Sequence, residues 1–123
     1  MINFYYHNIN PDKNIEGDCV TRAIAIASGI PYNAVKKLLQ VTAEENGCDE
    51  LCLYCYRILL EKTLGYKAMF PKELKRVGEI AKDYPNNAII VRIDGHLTSC
   101  MYGVCIDIWD CTEEEADCFW IVQ

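Results

Sequence analysis

Ala88-Ile89-Ile90-Val91-Arg92-Ile93-Asp94-Gly95-His96-Leu97-Thr98-Ser99-Cys100-Met101-Tyr102-Gly103-Val104-Cys105-Ile106-Asp107-Ile108-Trp109-Asp110 reads as three strands joined by two tight turns. Ala88 to Ile93 is rich in β-branched residues, which fit a pleated, half-buried surface. Asp94-Gly95 is a strong tight-turn signal. His96 to Met101 follows as a second strand, Tyr102-Gly103 as a second turn, and Val104 to Asp110 as a third strand. An acidic loop, Cys111 to Asp117, precedes a final strand over Cys118 to Val122.

The second hairpin predicts its own register. A two-residue turn at Tyr102-Gly103 pairs Met101 with Val104, hence Thr98 with Asp107 and His96 with Trp109. Side chains alternate along a strand, so His96, Thr98, Asp107 and Trp109 share one face and Asp110 points to the other. His96 and Asp107 become diagonal neighbours, about 7–8 Å apart at Cα and closer at their tips. A one-residue slip would give Asp110 the place of Asp107.

Upstream the periodicity is helical. Val20, Ala23, Ile24 and Ala27 predict a helix over Asp18 to Ser28, stopped by Gly29. Pro31 opens a second helix that carries Val35, Leu38 and Leu39 and ends by Gly47. A third is expected over Glu50 to Leu64, with Leu51, Tyr54, Ile58 and Leu59 inward, and a short fourth over Pro71 to Asp83. Ile2 to Tyr6 reads as a short strand and Asn8 to Gly17 as a polar loop. Helices followed by antiparallel strands make an α+β protein, with one helix layer on one face of a sheet of about three to five strands.

The chain of 123 residues is expected to form one domain, residues 1–123, and its 51% hydrophobic content implies an ordered core. A formal net charge of −6 argues against nucleic acid or an anionic membrane as partner. Met1 to Asn10 lacks the pattern of a secretory signal, and no apolar run approaches the roughly 20 residues of a membrane span, so a cytoplasmic location is expected. The oligomeric state leaves no mark on the sequence.

In that compartment the eight cysteines are expected to stay reduced. Cys48, Cys52 and Cys55 fall on one face of the expected third helix, where core packing explains them better than zinc ligation. No metal or cofactor is therefore expected. Cys19 differs from the others. It follows Asp18 at a helix start, where free backbone N–H groups and the helix dipole favour a thiolate. His96 and Asp107 then supply, in chain order, the base and the orienting carboxylate that a cysteine nucleophile needs.

Gly17-Asp18-Cys19-Val20-Thr21-Arg22-Ala23, Gly95-His96-Leu97 and Asp107-Ile108-Trp109-Asp110 together resemble the papain-like cysteine peptidase fold in a compact bacterial or phage form. That resemblance covers both ends of the chain and leaves residues 40–84 unmatched. It implies N-terminal helices packed on a C-terminal antiparallel sheet and a cysteine (thiol) protease activity. The triad would be Cys19, His96 and Asp107, with Trp109 shielding the His–Asp pair and Asp110 supporting it. Such enzymes complete an oxyanion hole with a polar side chain shortly before the cysteine, usually Gln about six positions upstream. Position 13 here is Lys, so the resemblance points to Asn14, with Asn10 behind it and the Cys19 amide as the other donor.

The expected function is a small hydrolase acting on an amide bond of a protein or peptide substrate. Acyl transfer or deamidation on the same fold, a non-catalytic binding protein that keeps the fold, and a cysteine-rich zinc protein are the alternatives.

Overall fold

The computed structural model describes residues 3–123. Strands β1 (Phe4–Tyr6), β2 (Lys67–Met69), β3 (Ala88–Ile93), β4 (His96–Met101), β5 (Val104–Asp107) and β6 (Ala116–Ile121) form one sheet in the order β1-β5-β4-β3-β6-β2. Helices α1 (Cys19–Ser28), α2 (Tyr32–Asn46), α3 (Leu53–Ile58) and α4 (Val77–Asp83) complete the α+β architecture. None of these helices is long and apolar enough to cross a membrane.

The second hairpin forms in the expected register from its turn to Ser99–Ile106, but its strand pairing stops short of the expected Thr98–Asp107 and His96–Trp109 pairs because β5 ends at Asp107. Ile93 pairs with His96 across Asp94-Gly95, and Met101 pairs with Val104 across Tyr102-Gly103. Tyr102 (φ 52°) and Gly103 (φ 90°) both lie in the left-handed region, as a type I′ turn requires. That turn matches the strand twist and pins every pair further along, so Ser99 meets Ile106.

The sheet is wider than the expected meander. β6 returns past β5 and β4 to pair with β3, and β2 adds outside it. β1 pairs parallel to β5, with Tyr6 against Asp107. The strand carrying Asp107 is therefore an interior one, and the His7 N–H also donates to the Asp107 carbonyl (3.0 Å).

Two apolar cores lie on the two faces. The first packs Val20, Ile24, Val35, Leu39, Leu59 and Leu60 against Ile90, Leu97 and Trp120. Each fully buried Leu or Ile there contributes about 1.5–3 kcal/mol of transfer free energy. The second packs Val77 and Ile80 against Ile89, Val91, Cys100, Cys105 and Cys111. The helices thus cover both faces rather than one. The expected helix over Pro71 to Asp83 begins only at Val77, and it crosses to the far side.

The expected helix over Glu50 to Leu64 also differs. It starts at Leu53, with the Cys52 sulfur accepting from the Cys55 N–H (3.4 Å), and ends in a π-helical turn over Leu59–Thr63. Its buried residues are Cys55, Tyr56, Leu59 and Leu60, while Leu51 and Tyr54 are exposed. Leu51 lies before the helix starts, and Cys55, Tyr56, Leu59 and Leu60 form a regular helical stripe whose phase is shifted by one residue from the expected one. Cys48 and Cys52 precede the helix and do not extend a face along it.

Candidate active site

Cys19 is the first residue of α1, and its half-buried thiol meets the start of β4. The first-turn N–H groups of a helix have no intrahelical acceptor, so the thiol sits in a positive field. The packing of α1 across β4 brings the thiol beside His96, with which it lines one cavity. Burial alone would raise the Cys19 pKa, but hydrogen bonds from His96 and the Leu97 backbone and the charges of His96 and Arg22 outweigh it, leaving the pKa below the ordinary thiol value.

His96 Nε2 lies 2.7 Å from Asp107 Oδ2. Nδ1 is the ring nitrogen left to face Cys19. Burial opposes protonation of His96, yet hydrogen bonds to Asp107, Cys111 and Cys19 raise its pKa to about 11. Asp107 is buried, which would raise its pKa, but hydrogen bonding to His96 and Thr98 holds it below the usual carboxylate value. Its Oδ1 accepts from the Ile108 N–H at 2.7 Å. These shifts together favour a thiolate, an imidazolium and a carboxylate in one line. Trp109 stacks edge-on to His96, with centroids 5.1 Å apart and planes at 73°, and is 45% exposed. It covers the imidazole from the solvent side.

Behind the thiol lies a buried polar network. Asp18 holds the N-cap position, but its carboxylate caps no backbone group. It pairs instead with the Arg22 guanidinium and accepts from Asn10 Nδ2 (2.8 Å) and the Tyr32 hydroxyl (2.9 Å). Arg22 Nη2 also reaches to 3.8 Å from Asp107 Oδ1. Arg22 therefore bridges the start of α1 to the carboxylate behind His96. The spacing of Asp18 and Arg22, one helical turn apart, is the sequence signal for the first half of this bridge. Tyr32 and Cys111 carried no signal. Cys111 is buried, with its sulfur 3.9 Å from Asp107 Oδ2 and 4.0 Å from Cys105 Sγ.

Three expected site residues have other partners. Asn14 is exposed, and its N–H donates to Asp12 Oδ1 (3.0 Å) within the loop. Asn10 is buried, but its amide donates to Asp18 and to Tyr32 and its oxygen accepts from the Asp12 N–H (2.8 Å). Short amide side chains favour such local bonds with their own loop, which fixes the chain entry to α1 instead of presenting a donor beside Cys19. The backbone N–H of Cys19 lies in the first turn of α1, where it has no intrahelical acceptor. Asp110 accepts from the Thr112 N–H (3.1 Å) and hydroxyl (2.7 Å) and lines a separate cleft of about 520 Å³ with Arg76, Glu79 and Lys82. The strand ends at Asp107, so Asp110 belongs to the turn that follows and not to the His–Asp pair.

A cavity of about 250 Å³ opens at the thiol. Gly17, Cys19, Val20, Gly95, His96 and Leu97 form one side, and Leu51, Leu53, Tyr56 and Arg92 the other. His96, Asp107 and Cys111 place one potential metal-ligand atom each within 4.8 Å of one another. The same nitrogen and oxygen already share a 2.7 Å hydrogen bond, which a metal ion would have to displace, and the Arg22 cation stands close by. The donor set therefore suits a proton better than a second cation.

No family model, curated protein or solved structure matches this chain.

Proposed function

We propose that this protein is a small cysteine hydrolase of papain-like design that cleaves an amide bond in a protein or peptide substrate. The observation that carries the reading is the line Cys19–His96–Asp107, in which a thiol of lowered pKa at a helix start adjoins an imidazole held 2.7 Å from a buried carboxylate.

The Cys19 thiolate attacks the carbonyl carbon and forms the C–S bond, and the carbonyl π electrons move to oxygen. The Cys19 N–H and the positive end of α1 stabilise that oxyanion. His96 then gives its Nδ1 proton to the leaving nitrogen as the C–N bond breaks and a thioester remains. In the second half, His96 takes a proton from water, the hydroxide oxygen displaces sulfur, and the thiolate–imidazolium pair is restored. Asp107 keeps the ring oriented and stabilises its charge throughout, without itself accepting a proton. An amine in place of water would give acyl transfer by the same steps.

The test is hydrolysis of a peptide-amide library by the purified chain and by its Cys19→Ala and His96→Ala variants. Turnover that vanishes in both variants supports the reading. Turnover that survives in either one overturns it.

A further inference from the structure

The cavity beside Cys19 differs in charge from the protein around it. The chain carries a formal net charge of −6, with 18 acidic residues. Among the described residues no carboxylate lines this cavity; its ionisable groups are Cys19, Tyr56, His96 and Arg92. Arg92 projects from β3, where it pairs across the sheet with Leu97 on one side and Cys118 on the other. Leu97 lines the same cavity directly after His96, so Arg92 lies on the floor of the cleft, beside the proposed reaction centre. Its present partner is Asp117, whose side chain is 51% exposed against 29% for Arg92. An exposed ion pair of this kind is worth little and exchanges readily. A ligand carboxylate inside the cavity would meet the same guanidinium with less water around it, where a charge-assisted bond is stronger.

We infer that the cavity selects an acidic residue next to the scissile amide, with its carboxylate on Arg92 and its methylene stem along Leu51, Leu53 and Leu97. The inference rests on the hydrolase reading for the word scissile, and on the cavity alone for its chemistry. A free chain-terminal carboxylate would present the same group to Arg92, so the experiment includes both sources.

Peptide amides with Glu, Gln, Leu or Lys adjoining the cleaved bond are compared by kcat/KM, along with a Gln peptide ending in a free carboxylate at the next position. The Glu peptide is expected to exceed the Gln peptide by about tenfold or more, the scale of one charge-assisted hydrogen bond. That ratio is expected to fall towards one in Arg92→Gln, to persist in Arg92→Lys, and to invert in favour of Lys in Arg92→Glu. Equal rates for Glu and Gln in the native protein overturn the inference, as does a preference for the free-terminus peptide over Glu. Binding of the same peptides to Cys19→Ala by calorimetry provides a reading independent of turnover. Tighter binding of Glu than Gln there supports the cavity chemistry even if no peptide is cleaved, an outcome that would sink only the hydrolase reading. Equal binding overturns the cavity inference whatever the activity.

Discussion

Arg22 Nη2 stands 3.8 Å from Asp107 Oδ1 while another nitrogen of the same guanidinium pairs with Asp18. One buried cation thus serves two buried carboxylates on two different elements. Removing it leaves Asp18 and Asp107 without their compensating charge. Arg22→Met is expected to destabilise the fold by about 3–5 kcal/mol, the usual cost of breaking a buried pair from one side. Urea unfolding of the variant measures this directly. A loss below about 1 kcal/mol would show that the bridge does not hold the helix start to the sheet.

Cys19 is held below the ordinary thiol range, whereas Cys48, Cys55, Cys105, Cys111 and Cys118 are all pushed above it, mainly by burial or by a neighbouring thiol. Iodoacetamide at pH 6.5 is therefore expected to label Cys19 ahead of those five, read by peptide mass spectrometry. His96→Ala removes the leading hydrogen bond and charge, and should move the pH midpoint of labelling upward by a unit or more, a unit being about 1.4 kcal/mol. An unchanged midpoint would mean that His96 does not activate the thiol.

The stability of the native pair has a calculable pH window. Relative to an unfolded chain with His at 6.5 and Cys at 9.0, folding raises the His96 pKa to about 11 and lowers that of Cys19. The raised His contributes stability that is full below pH 6.5 and lost as the pH climbs through about 11. The lowered Cys contributes stability that is full above pH 9.0 and lost as the pH falls through its folded value. Over the part of the range from 6.5 to 9.0 in which the folded thiol is ionised, the unfolded pair is neutral thiol plus neutral imidazole and the folded pair holds the same single proton, so the two slopes cancel. Cys19→Ala breaks the cancellation. The loss with rising pH should then begin near pH 6.5 and run without the interval of cancellation below pH 9.0, measured as the difference in urea midpoint from the native protein. Parallel curves would refute the ion-pair assignment.

Asn10 joins the entry loop to both Asp18 and Tyr32 through one amide nitrogen. Asn10→Asp exchanges that donor for a second carboxylate, 2.8 Å from the first in the native geometry. Like charges at such a distance repel, and one of the two must take up a proton. Stability is expected to fall by several kcal/mol at pH 8 and to recover on acidification towards pH 5. A variant equally stable at both pH values would count against the network.

Much of this site is legible in the sequence because it is built from local rules. Tyr102-Gly103 dictates a turn, the turn dictates a register, and the register carries Asp107 to His96. The helix start at Cys19 follows from apolar spacing in the same way. What the sequence conceals is non-local. β1 and β2 are short strands whose pairing depends on β5 and β6, far along the chain. The crossing of α4 to the second face turns on which apolar stripe meets which core, and no spacing encodes that. Asn14 is exposed, with its backbone N–H bonded to Asp12 Oδ1 inside the entry loop, a local turn that closeness in sequence to Cys19 does not announce. Leu51, Leu53, Tyr56 and Arg92 meet Cys19 only through tertiary packing, so the cleft that they share with it was invisible.

Cys19 packs against the first apolar core, and Cys105 and Cys111, behind Asp107, belong to the second. The line Cys19–His96–Asp107 therefore runs through the seam between the two, and neither half of the molecule can assemble it alone. Reactivity of this thiol becomes a gauge of the integrity of the whole domain: in a denaturant series, rapid alkylation of Cys19 should disappear in step with global unfolding, and any partial opening on either side of the sheet would extinguish it first.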